Sequence, residues 1–101
     1  MIRITRGESY PIFFNIKQDG MTLTPDMIQD IEIHIGESYR KTFSSGGVMY
    51  SADRDKWYIF PTTAETNAFD EGTHNVCAHI IYKNGETYIK NASRIMVVSC
   101  D

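Results

Sequence analysis

Apolar and polar residues alternate with a period of two along most of this chain. The clearest run is Ile31-Glu32-Ile33-His34-Ile35. A strand puts its isoleucines on one face, whereas a helix would scatter them around its circumference. The same alternation makes Ile2-Arg3-Ile4-Thr5 a short first strand. It also sets Ile12, Phe14 and Ile16 against Phe13, Asn15 and Lys17 in a second. Further strands are predicted over 39–43, 48–51, 57–60, 76–82, 86–90 and 94–99. Between them lie residues that favour turns: Arg6-Gly7-Glu8-Ser9, Asp19-Gly20, Thr24-Pro25-Asp26, Gly36, Ser44-Ser45-Gly46-Gly47, the polar stretch 52–56, and Asn84-Gly85, the strongest hairpin signal in the chain.

One segment breaks this rhythm. Pro61-Thr62-Thr63-Ala64-Glu65-Thr66 carries a capping box, with Thr62 as N-cap and Glu65 three residues on. Gly72 ends the segment, so it makes only a short helical turn near 62–69. The chain thus has eight or nine short strands and one helical turn, with turn signals about every 8–12 residues. No helix-period segments alternate with the strands, which argues against a parallel α/β fold. The expected fold class is all-β: an antiparallel, immunoglobulin-like β-sandwich forming a single domain over 1–101. Its expected core is Ile4, Ile12, Phe14, Ile16, Ile31, Ile33, Ile35, Val48, Tyr50, Ile59, Val76, Ala78, Ile80, Ile95 and Val97.

Composition narrows the function. The chain has 101 residues, 42% hydrophobic and 23% charged, which suits one globular domain and excludes a disordered tail, a collagen or a coiled coil. The net charge of −3 disfavours a nucleic-acid partner. No apolar run approaches the ~18 residues of a membrane span, and Met1-Ile2-Arg3-Ile4-Thr5-Arg6 lacks the apolar stretch of a signal peptide. The expectation is therefore a chain made in the cytoplasm, with no membrane partner. Cys77 and Cys100 are too few for a secreted disulfide scaffold; two free thiols are expected, with a bond between the two as the alternative.

The chain holds no phosphate loop, no dinucleotide fingerprint and no nucleophile elbow. Gly46-Gly47 leads into a strand rather than a helix. Cys77 and His79 lie two apart on one strand and share a face. Both are zinc-ligand types, with His74, Cys100 or Asp101 available to complete a set, but the spacing of a metal site is missing. Asp53 and Asp55 flank Arg54 in a turn, where their side chains stabilise the local backbone. The expectation is a protein with no catalytic residues, no cofactor and no metal. The aromatics supply the other candidate surface: alternation sends Trp57 and Tyr58 to opposite faces, so one ring is expected outside. Trp57, Tyr58, Cys77 and His79 together form the candidate interaction surface. An outward aromatic platform also keeps a carbohydrate-binding module open as the alternative function.

Several of these segments resemble a known family. Arg6-Gly7-Glu8-Ser9 before an alternating strand, Lys41-Thr42 with Val48-Met49-Tyr50, Pro61-Thr62-Thr63-Ala64-Glu65-Thr66 with Phe69 and Gly72, and the strand 76–82 with Asn84-Gly85 are similar to small prophage-encoded structural proteins of Gram-positive bacteria. Those proteins are related to the immunoglobulin-like N-terminal domain of phage upper baseplate proteins. Pro61, Ala64, Cys77 and His79 depart from the family pattern. The resemblance implies a non-enzymatic structural module of a phage or prophage particle, located in the virion after synthesis. Its partners would be other phage structural proteins and further copies of itself, as a homo-oligomer.

Overall fold

A computed structural model describes residues 2–100. They form ten strands: β1 (Ile2–Thr5), β2 (Ile12–Phe14), β3 (Lys17–Gln18), β4 (Met21–Thr22), β5 (Ile28–Ile35), β6 (Tyr39–Thr42), β7 (Val48–Ser51), β8 (Lys56–Ile59), β9 (Gly72–Tyr82) and β10 (Thr87–Val98). A single α-helix, α1 (Thr63–Asn67), bridges β8 and β9. A five-stranded sheet of order β1-β10-β9-β5-β6 packs against a three-stranded sheet of order β2-β8-β7, and β3-β4 make a small separate hairpin. The fold is an all-β sandwich, as the alternation requires. β2, β8 and β7 take the B, E and D places of an immunoglobulin sandwich, and β10, β9 and β5 the G, F and C places.

The expected antiparallel pairing holds at every ladder but one. β1 runs parallel to β10, Ile2 to Thr5 lying beside Ile95 to Val98. A chain that crosses from this edge to the opposite sheet through the turn at Gly7 needs no hairpin partner for its first strand, so nothing local forces β1 to be antiparallel. The two segments expected at 86–90 and 94–99 are one continuous strand, β10. A β-bulge between Asn91 and Ser93 carries the ladder with β9 across the polar stretch between them.

Between the sheets lies the core. Every expected core residue is buried except Tyr50, which packs at its margin. The structure adds Leu23, Ile28, Tyr39, Trp57 and Phe69. Trp57 is the largest of them and is wholly buried, its ring packed by Phe43 and Tyr50 at centroid distances of 5.2 Å each. Its indole N–H donates to the Leu23 carbonyl at 2.8 Å, so the one polar atom of the ring is satisfied inside. The immunoglobulin pattern of a cysteine bridge with a tryptophan on strand C is absent here: both cysteines are free, and Trp57 lies on β8.

Candidate interaction surface

The structure divides the four expected surface residues among three environments. Trp57 faces inward opposite Phe14 and is removed from any surface. The reason is pairing: Ile12 and Phe14 face the core, so their partners Ile59 and Trp57 must as well. Tyr58 is the outward ring, half-buried on the three-stranded sheet, where it packs on Phe13 at 4.9 Å; the Arg54 guanidinium lies 4.3 Å from the centre of the Phe13 ring. Cys77 and His79 lie on the outer face of the five-stranded sheet. That is the opposite side of the sandwich, so Tyr58 and His79 cannot meet one partner on one plane. A sugar platform built on Trp57 and Tyr58 loses its larger ring to the core.

The outer face of the five-stranded sheet is the richer of the two. Register places Glu32 beside His79, and His34 beside both Cys77 and Arg40. His34 and His79 stack with centroids 3.8 Å apart and planes 15° from parallel. The Arg40 guanidinium donates to His34 Nδ1 at 2.6 Å, which leaves Nε2 to face the Glu32 carboxylate. Burial under its neighbours holds the His79 imidazole below the usual histidine range. His34 and Arg40 push the same way, and Glu32 opposes them. Sequence alternation marks both histidines as outward, but only the β5–β9 register brings them together.

Among the described residues no three His, Cys, Asp or Glu side chains converge as a metal would need. His74, one expected partner of Cys77, sits at the end of β9 with Nε2 against the Asp70 carbonyl at 2.7 Å. Cys100 lies beyond the end of β10, and Asp101 lies outside the described residues. Both Cys77 and Cys100 are free thiols, the first half-buried and the second exposed. An open cleft of about 400 Å³ separates the β5–β6 turn from the loop after α1, with Gly36, Glu37, Asp70 and His74 on its walls.

Two motifs distant in sequence form one unit. The turn Arg6-Gly7-Glu8-Ser9 docks on α1 through a set of hydrogen bonds. The Arg6 guanidinium donates to the Asn67 carbonyl at 2.6 Å, the Gly7 N–H to Thr66 Oγ1 at 3.0 Å, and the Ser9 hydroxyl to the Pro61 carbonyl at 2.8 Å. Thr66, the buried polar residue of the core, donates in turn to the Glu8 carbonyl at 2.8 Å. The capping box is complete: Glu65 N–H donates to Thr62 Oγ1, and Thr62 N–H to Glu65 Oε1. The other Glu65 oxygen meets Lys41 Nζ on β6 at 2.8 Å. Burial raises the Glu65 carboxyl, but Lys41 and the Thr62 bonds outweigh it and hold the group below its ordinary value.

The remaining apolar exposure gathers partly at the far end of the β9–β10 hairpin. Tyr88 and Ile89 are 45% and 66% exposed, next to a length of β10 that β1 does not reach. Comparison with known protein families, curated proteins and solved structures finds no match to this chain. Among the described residues, no helix is long and apolar enough to cross a membrane.

Proposed function

We infer that this chain is a non-catalytic interaction module of a phage or prophage particle, which works by holding sheet edges and faces in fixed positions for other protein chains. The observation that carries this reading is the stretch of β10 ahead of β1, where a strand edge that no other strand pairs among the described residues runs beside exposed Tyr88 and Ile89. Such an edge binds another chain through main-chain hydrogen bonds, while its side chains set specificity. The close-packed core behind it supplies the rigidity that presentation requires. The particle setting rests on the sequence resemblance. It gains support from the contact between Arg6-Gly7-Glu8-Ser9 and the capped helix, since two of the resembling motifs act together as one structural unit. The partners are other structural proteins of the particle and further copies of this chain.

Mass spectrometry of particles purified after prophage induction tests the reading. The chain is expected at a fixed ratio to the other virion proteins. Its recovery only from the particle-free lysate would contradict a structural role.

A further inference from the structure

We propose that a second copy of this chain pairs antiparallel with the free edge of β10 over residues 87–91, about a two-fold axis at Ile89. The inference rests on the reading of the chain as an interaction module and names its partner and contact.

The backbone of β10 sets the geometry. Tyr82 N–H donates to the Glu86 carbonyl at 2.9 Å, which makes these two a hydrogen-bonded pair at the mouth of the hairpin. Antiparallel pairs alternate between hydrogen-bonded and non-bonded. From that pair and the register Thr87↔Ile81, Tyr88↔Ile80, Ile89↔His79, Lys90↔Ala78 and Asn91↔Cys77, the residues Thr87, Ile89 and Asn91 point their N–H and C=O groups away from β9. β1 pairs only with Ile95 to Val98, so among the described residues no strand covers that side. The open length runs from the turn at Asn84 to Arg94, and Ile89 is its midpoint. With Ile89 on the axis, Ile89 exchanges both backbone bonds with its own copy, and Thr87 does so with Asn91 of the second copy. The turn of one hairpin then stops just short of the other copy's β1.

The side chains agree with this axis. On the outer face Ile89, 66% exposed in the single chain, packs against itself. On the other face Tyr88 lies opposite Lys90 of the second copy, whose ammonium donates to its own chain's Lys17 carbonyl at 3.1 Å and has two further N–H groups to offer, with Glu86 diagonal to it. Tyr88 Oη already donates to Glu86 Oε2 at 2.5 Å, so ring and carboxylate stand together as a receptor for that Lys90. Each copy thus offers Glu86 and Lys90 on either side of the axis, and the two-fold brings opposite charges together. Registers centred on Thr87 or Asn91 leave Ile89 without its counterpart.

Sedimentation of the full chain over a concentration series tests the pairing, with Ile89→Pro and Ile89→Lys beside the wild type. Proline removes one outward N–H and no bond to β9, and lysine places two ammonium groups together on the axis. Both variants are expected to keep the wild-type fold by circular dichroism and to weaken dimerisation at least about tenfold. A third variant, Ile89→Cys with Cys77→Ser and Cys100→Ser, is expected to form a disulfide-linked dimer under mild oxidation, independently of any change in folding. A wild-type chain that stays monomeric throughout, or a dimer insensitive to both substitutions at Ile89, overturns the edge pairing. A monomer that is still found at fixed ratio in particles overturns this contact and leaves the module reading standing.

Discussion

Thr66 is a single hydroxyl that ties two distant parts of the chain. It accepts from Gly7 and donates to Glu8, and it is buried. Replacing it with valine keeps the shape but strands the Gly7 N–H and the Glu8 carbonyl. A loss of about 1 kcal/mol is expected in urea unfolding, since both bonds are only partly buried and water can reach the groups they leave. Gly7 sits at φ +96°, and an added Cβ would lie 3.3 Å from Asn67 Oδ1. Gly7→Ala is therefore expected to cost about 1–2 kcal/mol, chiefly from the left-handed backbone. His79 makes a pH prediction. Its imidazole is held below its ordinary value of 6.5, so below that pH the unfolded chain binds the proton first. Stability is full above pH 6.5 and falls as acid takes the pH through the lowered folded value. Thermal melts across that window check this. His79→Gln is expected to flatten the acid side, and an unchanged slope would show that the stacked pair does not carry it.

At the scale of elements, the helix was the most legible part of the chain. Thr62 and Glu65 are local, and the capping box they announce is present in full. Thr62→Ala is expected to lower stability by about 1 kcal/mol, read as a drop in melting temperature. The Asn84-Gly85 signal also located its hairpin, although the turn is of another kind. Gly85 alone has positive φ and its N–H donates to the Tyr82 carbonyl, so a three-residue loop with a glycine bulge replaces a two-residue turn. β5 and β9 both begin before their expected starts, β5 at Ile28 and β9 at Gly72. His74 and Asn75 carry little strand propensity of their own; pairing with Ile95 and Arg94 holds them extended. The same cause hid the continuity of β10, because a bulge is a property of two strands together.

The whole molecule follows from its alternation, since burying one face of each strand leaves two sheets little choice but to pack face to face. The core isoleucines were legible because each lies in a local period. Trp57 was not, since alternation alone leaves open which of two adjacent aromatics points inward. Only the pairing of β8 with β2 decides it. Trp57→Ala is expected to cost about 3–5 kcal/mol, since the cavity would open among Leu23, Phe43 and Tyr50. The candidate surface was the least legible part. Cys77 and His79 were marked as outward, but the His34 stack, the separation of Tyr58 to the other side and the uncovered length of β10 all depend on register. The central claim is that this backbone edge pairs with a second copy of the chain. Amide hydrogen exchange, measured residue by residue at low and high protein concentration, tests it most directly. At low concentration Thr87, Ile89 and Asn91 are expected to exchange fast while Tyr88 and Lys90 are protected, and at high concentration all are expected to be protected. Exchange at Thr87, Ile89 and Asn91 that does not change with concentration would contradict the claim.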